Sequence, residues 1–320
     1  MVLYLYEKMN AIKTEVFKNK WLEVTVSPRG AELMSIRGLY TGIEYLWQGD
    51  KAYWERRSPL LFPTVGRLWN GTTRVGGHRY SIPMHGLVKD ALFTVTRRGK
   101  DWLTLRLESS PRMHSAYPFP FRLDVTYRLR GNRLDVAWLV TNIGLREMPF
   151  HIGGHPGINF KDFNSEAEVH GYVDFGNQSR QIESATVGSD NCVATRRYAL
   201  PLDDNGLLPM KAMLFDCDAV IIDGGQVERV ALLDVKKRPY VTLTSAAPVT
   251  LLWSPEGKNA PFVCLEPWYG LCDSEGYVGE FENRPYMNFV APRRKALLGY
   301  ELRMDAEALP EALSRHRKGL

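Results

Sequence analysis

The sequence has little that would place the protein in a membrane or among disulfide-stabilised proteins. The 320-residue chain has only four cysteines, at 192, 217, 264 and 272, and none of them form a C-x-x-C motif. The uncharged run 239–255 is rich in Thr, Ser and Pro. It predicts two buried strands, because a spanning helix needs about 20 mostly apolar residues. No basic segment leads into an apolar stretch at the N-terminus, so we expect a cytoplasmic protein with reduced thiols and no membrane partner.

Neither sign of charge is in large excess. The chain has 41 Lys and Arg against 36 Asp and Glu, a net charge of +5, and much of the surplus lies in 293–320. A nucleic-acid-binding protein would concentrate its Lys and Arg on one surface or motif. Here both signs are interleaved, as in the segment 94–110 (TVTRRGKDWLTLRLESS). We therefore expect no nucleic-acid partner.

Long helices and the common nucleotide-binding and hydrolase motifs are also missing. The sequence contains no G-x-x-x-x-G-K-[ST], G-x-G-x-x-G or G-x-S-x-G, which argues against P-loop, dinucleotide-binding and α/β-hydrolase chemistry. The best helical pattern, Asp305–Lys318, is interrupted by Pro310. Because strands do not alternate with long helices, Rossmann and TIM-barrel folds are disfavoured.

What the sequence does contain is a period of two. In Phe121–Arg130 apolar and polar residues alternate, Gly131-Asn132 follows as a turn, and Arg133–Asn142 continues the alternation. This pattern predicts a hairpin of half-buried strands. Many similar runs, separated by 27 Gly and 19 Pro, predict an all-β sandwich or barrel. We expect one large domain over 1–304 and a basic C-terminal tail over 305–320 with some helical pattern; two fused β domains are the alternative.

Two segments place a titratable side chain at the end of an apolar strand. Glu266 is followed by Pro267 and two aromatic residues, and burial of such a carboxyl raises its pKa towards the range useful for proton transfer. His151 and His155 are four residues apart among glycines and a proline. An extended chain separates them by about 13 Å, so we expect no shared metal. His155 lies where a strand gives way to a loop, which suits a catalytic group. A structural carboxylate and a turn-bound histidine are the alternatives.

Two further polar residues lie in uncharged or Gly-rich segments. Arg67 ends a nine-residue stretch without charge, and His85 precedes a glycine in a loop. The planar fork of arginine suits vicinal hydroxyls or a carboxylate. Neither residue alone specifies a reaction.

Taken in order, these segments resemble the aldose 1-epimerase (mutarotase) family, most closely its LacX-like branch. The resemblance extends over roughly residues 20–300. The matching landmarks are Gly30-Ala-Glu-Leu-Met-Ser, Glu44-Tyr-Leu-Trp-Gln-Gly, Ser58-Pro-Leu-Leu-Phe-Pro-Thr-Val-Gly-Arg67-Leu, Met84-His85-Gly-Leu-Val-Lys-Asp, Gly154-His155-Pro and Cys264-Leu-Glu266-Pro-Trp-Tyr-Gly. It implies a single galactose-mutarotase-like β-supersandwich with a sugar cleft, and a cofactor-free, metal-free enzyme that interconverts the α and β anomers of free aldoses.

The resemblance also implies roles for individual residues. Glu266 matches the family's general base, His155 its general acid, His85 the second histidine of the cleft and Arg67 the substrate-binding arginine. Asp218 is the best match for a sugar-binding aspartate.

Three further features of the sequence bear on the sugar pocket. Trp268 offers a flat apolar face for a sugar ring. Lys89, however, stands where the branch usually has an arginine, and Gly157-Ile158 replaces an expected aromatic residue.

The expected partner is a small aldose, with the protein acting as a monomer or homodimer. A non-catalytic carbohydrate-binding protein and a glycoside hydrolase, which needs two carboxylates, are the alternative functions.

Overall fold

The computed structural model describes residues 13–176 and 181–307, and this part of the chain is nearly all β. Two large antiparallel sheets and three small ones contain its strands. In these two ranges helical structure is limited to one turn, α1 (Pro111–His114), and short 3-10 turns at Trp69–Gly71, Ser189–Asn191, Ala212–Phe215, Phe281–Asn283 and Asp305–Glu307. Within the described ranges, none of these helices has the length or apolar character needed to cross a membrane.

The larger sheet has nine strands and contains the predicted hairpin. Arg130 pairs with Arg133 across a two-residue turn, and Gly131 has a φ of +62°, a conformation that glycine adopts without strain. The hairpin prediction is therefore confirmed. In spatial order the strands are β17 (Leu208–Pro209), β14 (Tyr172–Asp174), β19 (Arg229–Leu233), β20 (Pro239–Thr244), β24 (Lys295–Arg303), β10 (Arg133–Asn142), β9 (Phe121–Arg130), β8 (Trp102–Glu108) and β7 (Thr94–Arg98).

The second sheet has eight strands and positions the candidate site. Along it lie β16 (Val193–Ala199), β15 (Glu183–Val187), β18 (Val220–Ile222), β21 (Val249–Trp253), β22 (Phe262–Tyr269), β12 (Ile152–Gly154) and β4 (Leu60–Leu61), and β13 (Gly157–Asn159) also pairs with β22. The two strands predicted in 239–255 are both present. They belong to different sheets, β20 to the first and β21 to the second.

The remaining strands form three small sheets. They consist of β1 (Glu15–Lys18), β2 (Leu22–Ser27) and β3 (Glu32–Gly38); β5 (Thr72–Val75) and β6 (His78–Ser81); and β11 (Met148–Phe150) with β23 (Asn288–Val290).

One apolar core joins the two large sheets, as a single sandwich domain requires. Trp138 of β10 lies with its ring centroid 6.4 Å from that of Tyr269 on β22, and the Tyr269 hydroxyl donates to the carbonyl of Gly299 on β24 at 2.9 Å. Residues of both sheets belong to the same cluster of buried side chains. The all-β supersandwich is confirmed, and the alternative of two fused domains is not supported.

The beginning of the predicted tail is packed against the domain. Glu307, in the turn Asp305–Glu307, is fully buried, and its carboxylate accepts hydrogen bonds from the Tyr45 hydroxyl at 2.9 Å and from the backbone N–H of Tyr40 at 3.0 Å. Residues 308–320, which carry the rest of the helical pattern, lie outside the described residues. The boundary at 304 stays a prediction.

Candidate active site

The central strand β22 is buried on both faces, but the two faces have different chemistry. Successive strand residues point to opposite sides of a sheet. Val263 and Leu265 belong to the core between the sheets, whereas Cys264, Glu266 and Trp268 alternate with them and face the other way. Glu266 is only 1% exposed. A carboxylate at the floor of a cleft therefore arises from one polar residue in an otherwise apolar strand.

The neighbouring strands bring His155 opposite this carboxylate. β12 pairs with β22 through Gly153 and Trp268, and the antiparallel pairing resumes in the same register at Gly157 of β13. His155 lies in the short interruption between β12 and β13, where this register puts it directly across from Glu266. Cross-strand neighbours have Cβ atoms about 4.5–5.5 Å apart, so the two side chains meet.

His155 and Glu266 form a buried acid–base pair. The Nε2 atom of His155 lies 3.2 Å from Oε1 of Glu266, and the indole N–H of Trp268 donates to Oε2 at 3.1 Å. Burial raises the pKa of Glu266, an effect that the Trp268 hydrogen bond opposes and the charge of Asp218 adds to. Burial also lowers the pKa of His155, assisted by nearby His85. Both shifts disfavour charge, so the pair holds one proton over a wide pH range.

Two tryptophans that the sequence analysis did not identify form aromatic walls around His155. Trp54 stacks on its imidazole, with ring centroids 4.8 Å apart at 27°, and Trp253 meets it edge-on at 5.6 Å and 78°. Both are only partly buried and line the cleft. Trp253 ends β21, and Trp54 follows the segment Glu44–Gly49. These positions give no local signal of a site, because the contact with His155 is tertiary.

The second predicted histidine, His85, is held by the glycine that precedes Arg67. The backbone N–H of Gly66 donates to Nδ1 of His85 at 3.2 Å, which leaves the proton of a neutral imidazole on Nε2. Gly66 has a φ of +60°, and a Cβ there would lie 2.5 Å from Cβ of Cys272, so no other residue fits. The His85 ring centroid is 5.4 Å from that of His155.

Two cations flank His85. Partial burial lowers the pKa of His85, and the charges of Lys89 and Arg56 lower it further. The ammonium group of Lys89 donates to the carbonyl of Met84 at 2.7 Å, and Arg56 is 2.6 Å from the carboxylate of Asp90. His85 is therefore a neutral hydrogen-bonding group.

At the rim of the cleft the predicted Arg67 and Asp218 are connected but not in direct contact. The Arg67 guanidinium is 3.0 Å from Asp190 and donates to Oδ1 of Asn191 at 3.5 Å. Asn191 in turn donates its amide N–H to Asp218 at 2.9 Å. Asp218 and Asn191 line the cleft and Arg67 does not. Arg67 is thus linked to the lining of the cleft through Asn191, and its predicted contact with substrate stays a prediction.

The cleft has a volume of about 610 Å³, and its lining includes five of the six predicted site residues: Glu266, His155, His85, Asp218 and Trp268. Trp268 is only 3% exposed, and its indole is used to orient Glu266. Trp54 and Trp253 offer more accessible aromatic surface. A separate, mostly apolar groove of about 680 Å³ adjoins the cleft at Val187 and Ala219, and it contains none of the six residues.

One group of side chains near the floor has the donor types of a metal site. A ring nitrogen of His155, Sγ of Cys264 and a carboxylate oxygen of Glu266 all lie within 4.8 Å of one another, and all three residues are buried. The other histidine of the segment, His151, points away from the cleft, and its Nε2 is 3.1 Å from the carbonyl of Pro285.

Comparison with known proteins identifies the family. The aldose 1-epimerase family model matches residues 14–277. The plasmid and chromosomal LacX proteins of Lactococcus lactis subsp. lactis are 28% and 29% identical over 296 residues, which is 89% of this chain and 97% of each relative. A galactose mutarotase related enzyme from Lactobacillus acidophilus has a TM-score of 0.84 and 29% identity, over 91% of this chain and 97% of that one. A galactose mutarotase-like protein from Lactobacillus casei has a TM-score of 0.85 and 26% identity, over 91% and 99% of the two chains. The chain belongs to the aldose 1-epimerase family.

Proposed function

We propose that the protein is an aldose 1-epimerase that interconverts the α and β anomers of a free aldose by acid–base opening and closing of the ring. The observation that carries the proposal is the contact of 3.2 Å between His155 and Glu266 on the buried floor of the cleft. The two oxygens that must lose and gain a proton are bonded to the same carbon of the sugar. An acid and a base that touch one another therefore suit this reaction.

The chemistry is a balanced exchange of protons. Glu266, as the base, removes the proton of the hydroxyl on carbon 1, while His155, as the acid, protonates the ring oxygen and the bond between that oxygen and carbon 1 breaks. Carbon 1 becomes an aldehyde and rotates about its bond to carbon 2. The ring closes on either face with the two roles reversed, so the enzyme ends in its initial protonation state.

The buried environment fits these roles because the reaction needs one proton shared by the pair. Burial favours the uncharged form, in which Glu266 holds the proton and His155 is neutral. Transfer of that proton across the 3.2 Å contact between the two side chains gives a carboxylate and an imidazolium, the form that accepts from the sugar hydroxyl and donates to the ring oxygen. The bond from Trp268 favours this ionised carboxylate.

The other residues would bind and orient the sugar. Neutral His85 donates from Nε2 to a hydroxyl, and Asp218 accepts from one. Trp54 and Trp253 provide apolar faces for the ring, as Trp268 was expected to do. Arg67 is a positioning residue, since it holds Asn191 and through it Asp218. No step requires a cofactor or a metal.

NMR exchange spectroscopy of anomer interconversion, across a panel of free aldoses, tests the proposal. We expect at least one aldose to exchange faster than in buffer, at a rate that prolonged chelation does not lower. Saturable sugar binding without acceleration would identify a carbohydrate-binding protein. Release of reducing sugar from an aryl glycoside would identify a glycoside hydrolase.

A further inference from the structure

Cys264 lies beside the acid–base pair, and the proposed reaction gives it no role. We propose that His155, Cys264 and Glu266 form an inhibitory site for a divalent transition-metal ion, best suited to Zn²⁺, that excludes the sugar when it is filled. The inhibitory effect rests on the proposed function, whereas the binding of the metal does not.

The backbone geometry brings the three donors together. Cys264 and Glu266 are two residues apart on β22 and point to the same face, and His155 is across from Glu266 in the adjacent interruption. Their donor atoms all lie within 4.8 Å of one another. Metal–ligand bonds of about 2.0–2.3 Å place the ligands of tetrahedral Zn²⁺ roughly 3.3–3.8 Å apart. The contact between His155 and Glu266, at 3.2 Å, already has about this separation, so the thiol, which lies within 4.8 Å of both, is the ligand that must move closer.

The donor types and their charges also favour a metal. Imidazole, thiolate and carboxylate are the three ligand classes of Zn²⁺. Burial raises the pKa of both Cys264 and Glu266, because each anion alone is costly in this apolar floor. A neutral imidazole, one thiolate, one carboxylate and a divalent cation sum to zero charge, which removes that cost. The indole N–H of Trp268 already holds Oε2 of the carboxylate from outside the group, as ligating carboxylates usually require.

The exchange is balanced by protons. The metal displaces the thiol proton of Cys264 and the proton held by the pair of His155 and Glu266, and both are released to solvent. Binding should therefore strengthen as pH rises. His155 and Glu266 line the cleft, so we expect water from the cleft to take the fourth position. Because the metal occupies the lone pairs that would handle the sugar's protons, sugar and metal should compete.

Titration of the metal-free protein with Co²⁺ tests the site without relying on activity. We expect one equivalent to give the charge-transfer absorption of a thiolate–cobalt bond together with the visible bands of a tetrahedral ion, and Zn²⁺ to abolish both. Cys264→Ala should lose the charge-transfer absorption and weaken metal binding by at least about tenfold. Cys272→Ala is the matched control: Cys272 is also buried and lines the cleft, but it is not in the donor group. It should bind like the wild type.

The effect on activity is a second, separate measurement. Zn²⁺ should inhibit anomer exchange competitively with sugar in the wild type and in Cys272→Ala, and at least about tenfold less potently in Cys264→Ala. Cobalt bound without a thiolate signal, or lost equally in both variants, would overturn the metal site. A wild type that binds cobalt through the thiol but exchanges no aldose would refute the proposed function and leave the metal site standing.

Discussion

His151 and His155 are four residues apart and both are buried, but the polar groups that their imidazoles meet are different. Burial lowers the pKa of both: that of His151 falls to about 3, and that of His155 lies well below its ordinary value. His151 meets a backbone carbonyl at Pro285 and packs against Phe281 and the backbone of Gly270. His155 meets a carboxylate at the floor of a cleft. A shifted pKa therefore marks burial, and the partner and the access to solvent distinguish a candidate catalytic group from a structural one.

The largest expected effect separates the two histidines by activity. His155→Asn should reduce the rate of anomer exchange by about 10²–10⁴-fold, the usual contribution of a positioned acid or base. His151→Asn should keep most of the activity and lose about 1–3 kcal/mol of unfolding free energy, because a buried carbonyl loses its partner.

Exchange kinetics and urea unfolding on the same two preparations check this prediction. If His151→Asn lost activity as severely as His155→Asn while remaining folded, the distinction between the two sites would be wrong.

A structural feature can be predicted from the sequence when the residues that form it are close together along the chain. The hairpin of β9 and β10 is local, because alternation and a Gly-Asn turn lie within 22 consecutive residues. The contact between His155 and Glu266 depends on the register of strands more than 100 residues apart, which no local pattern specifies. The roles of His155 and Glu266 are instead inferred from the resemblance to the aldose 1-epimerase family. Trp54 and Trp253 were missed for the same reason, and the placement of Arg67 behind Asn191 depends on a loop with no regular pattern.

A smaller loss of activity is expected when the hydrogen bond from the Trp268 indole to the Glu266 carboxylate is removed. Trp268→Phe keeps the ring and removes the hydrogen bond to Oε2 of Glu266, so exchange should slow by about tenfold, the cost of a hydrogen bond to a charged group. That bond lowers the pKa of Glu266. Its removal should therefore raise this pKa and move the alkaline limb of the pH–rate profile, where the pair loses its one proton, to higher pH. An unchanged alkaline limb would indicate that Trp268 only fills space.

The buried His151 should also contribute to the pH dependence of stability. Its pKa is lowered from 6.5 to about 3, so the unfolded chain takes up a proton that the folded protein does not. The contribution of His151 to the free energy of unfolding is therefore largest above pH 6.5. It decreases as the pH falls towards 3, by up to about 1.4 kcal/mol per pH unit. Urea unfolding between pH 6.5 and 5 should show a shallower loss for His151→Asn than for the wild type. Equal slopes would mean that His151 is protonated in the folded protein.

The smallest effect is expected at the rim. The Arg67 side chain is 41% exposed and is paired with Asp190, and such exposed pairs contribute little. Arg67→Lys keeps the charge and loses the fork that also holds Asn191, so KM for the sugar should rise about two- to fivefold with kcat unchanged. Steady-state kinetics check this. A loss of kcat as large as that of His155→Asn would place Arg67 in direct contact with the reacting sugar.

In the proposed reaction Glu266 is the proton acceptor of the pair. Glu266→Gln preserves the shape of the side chain and its ability to hydrogen-bond a hydroxyl, and removes the base. The most direct test is to measure anomer exchange and sugar binding on the same folded Glu266→Gln preparation. We predict an exchange rate reduced by at least about 10²-fold with sugar affinity changed far less. Retention of more than about a tenth of the wild-type rate would contradict the assignment.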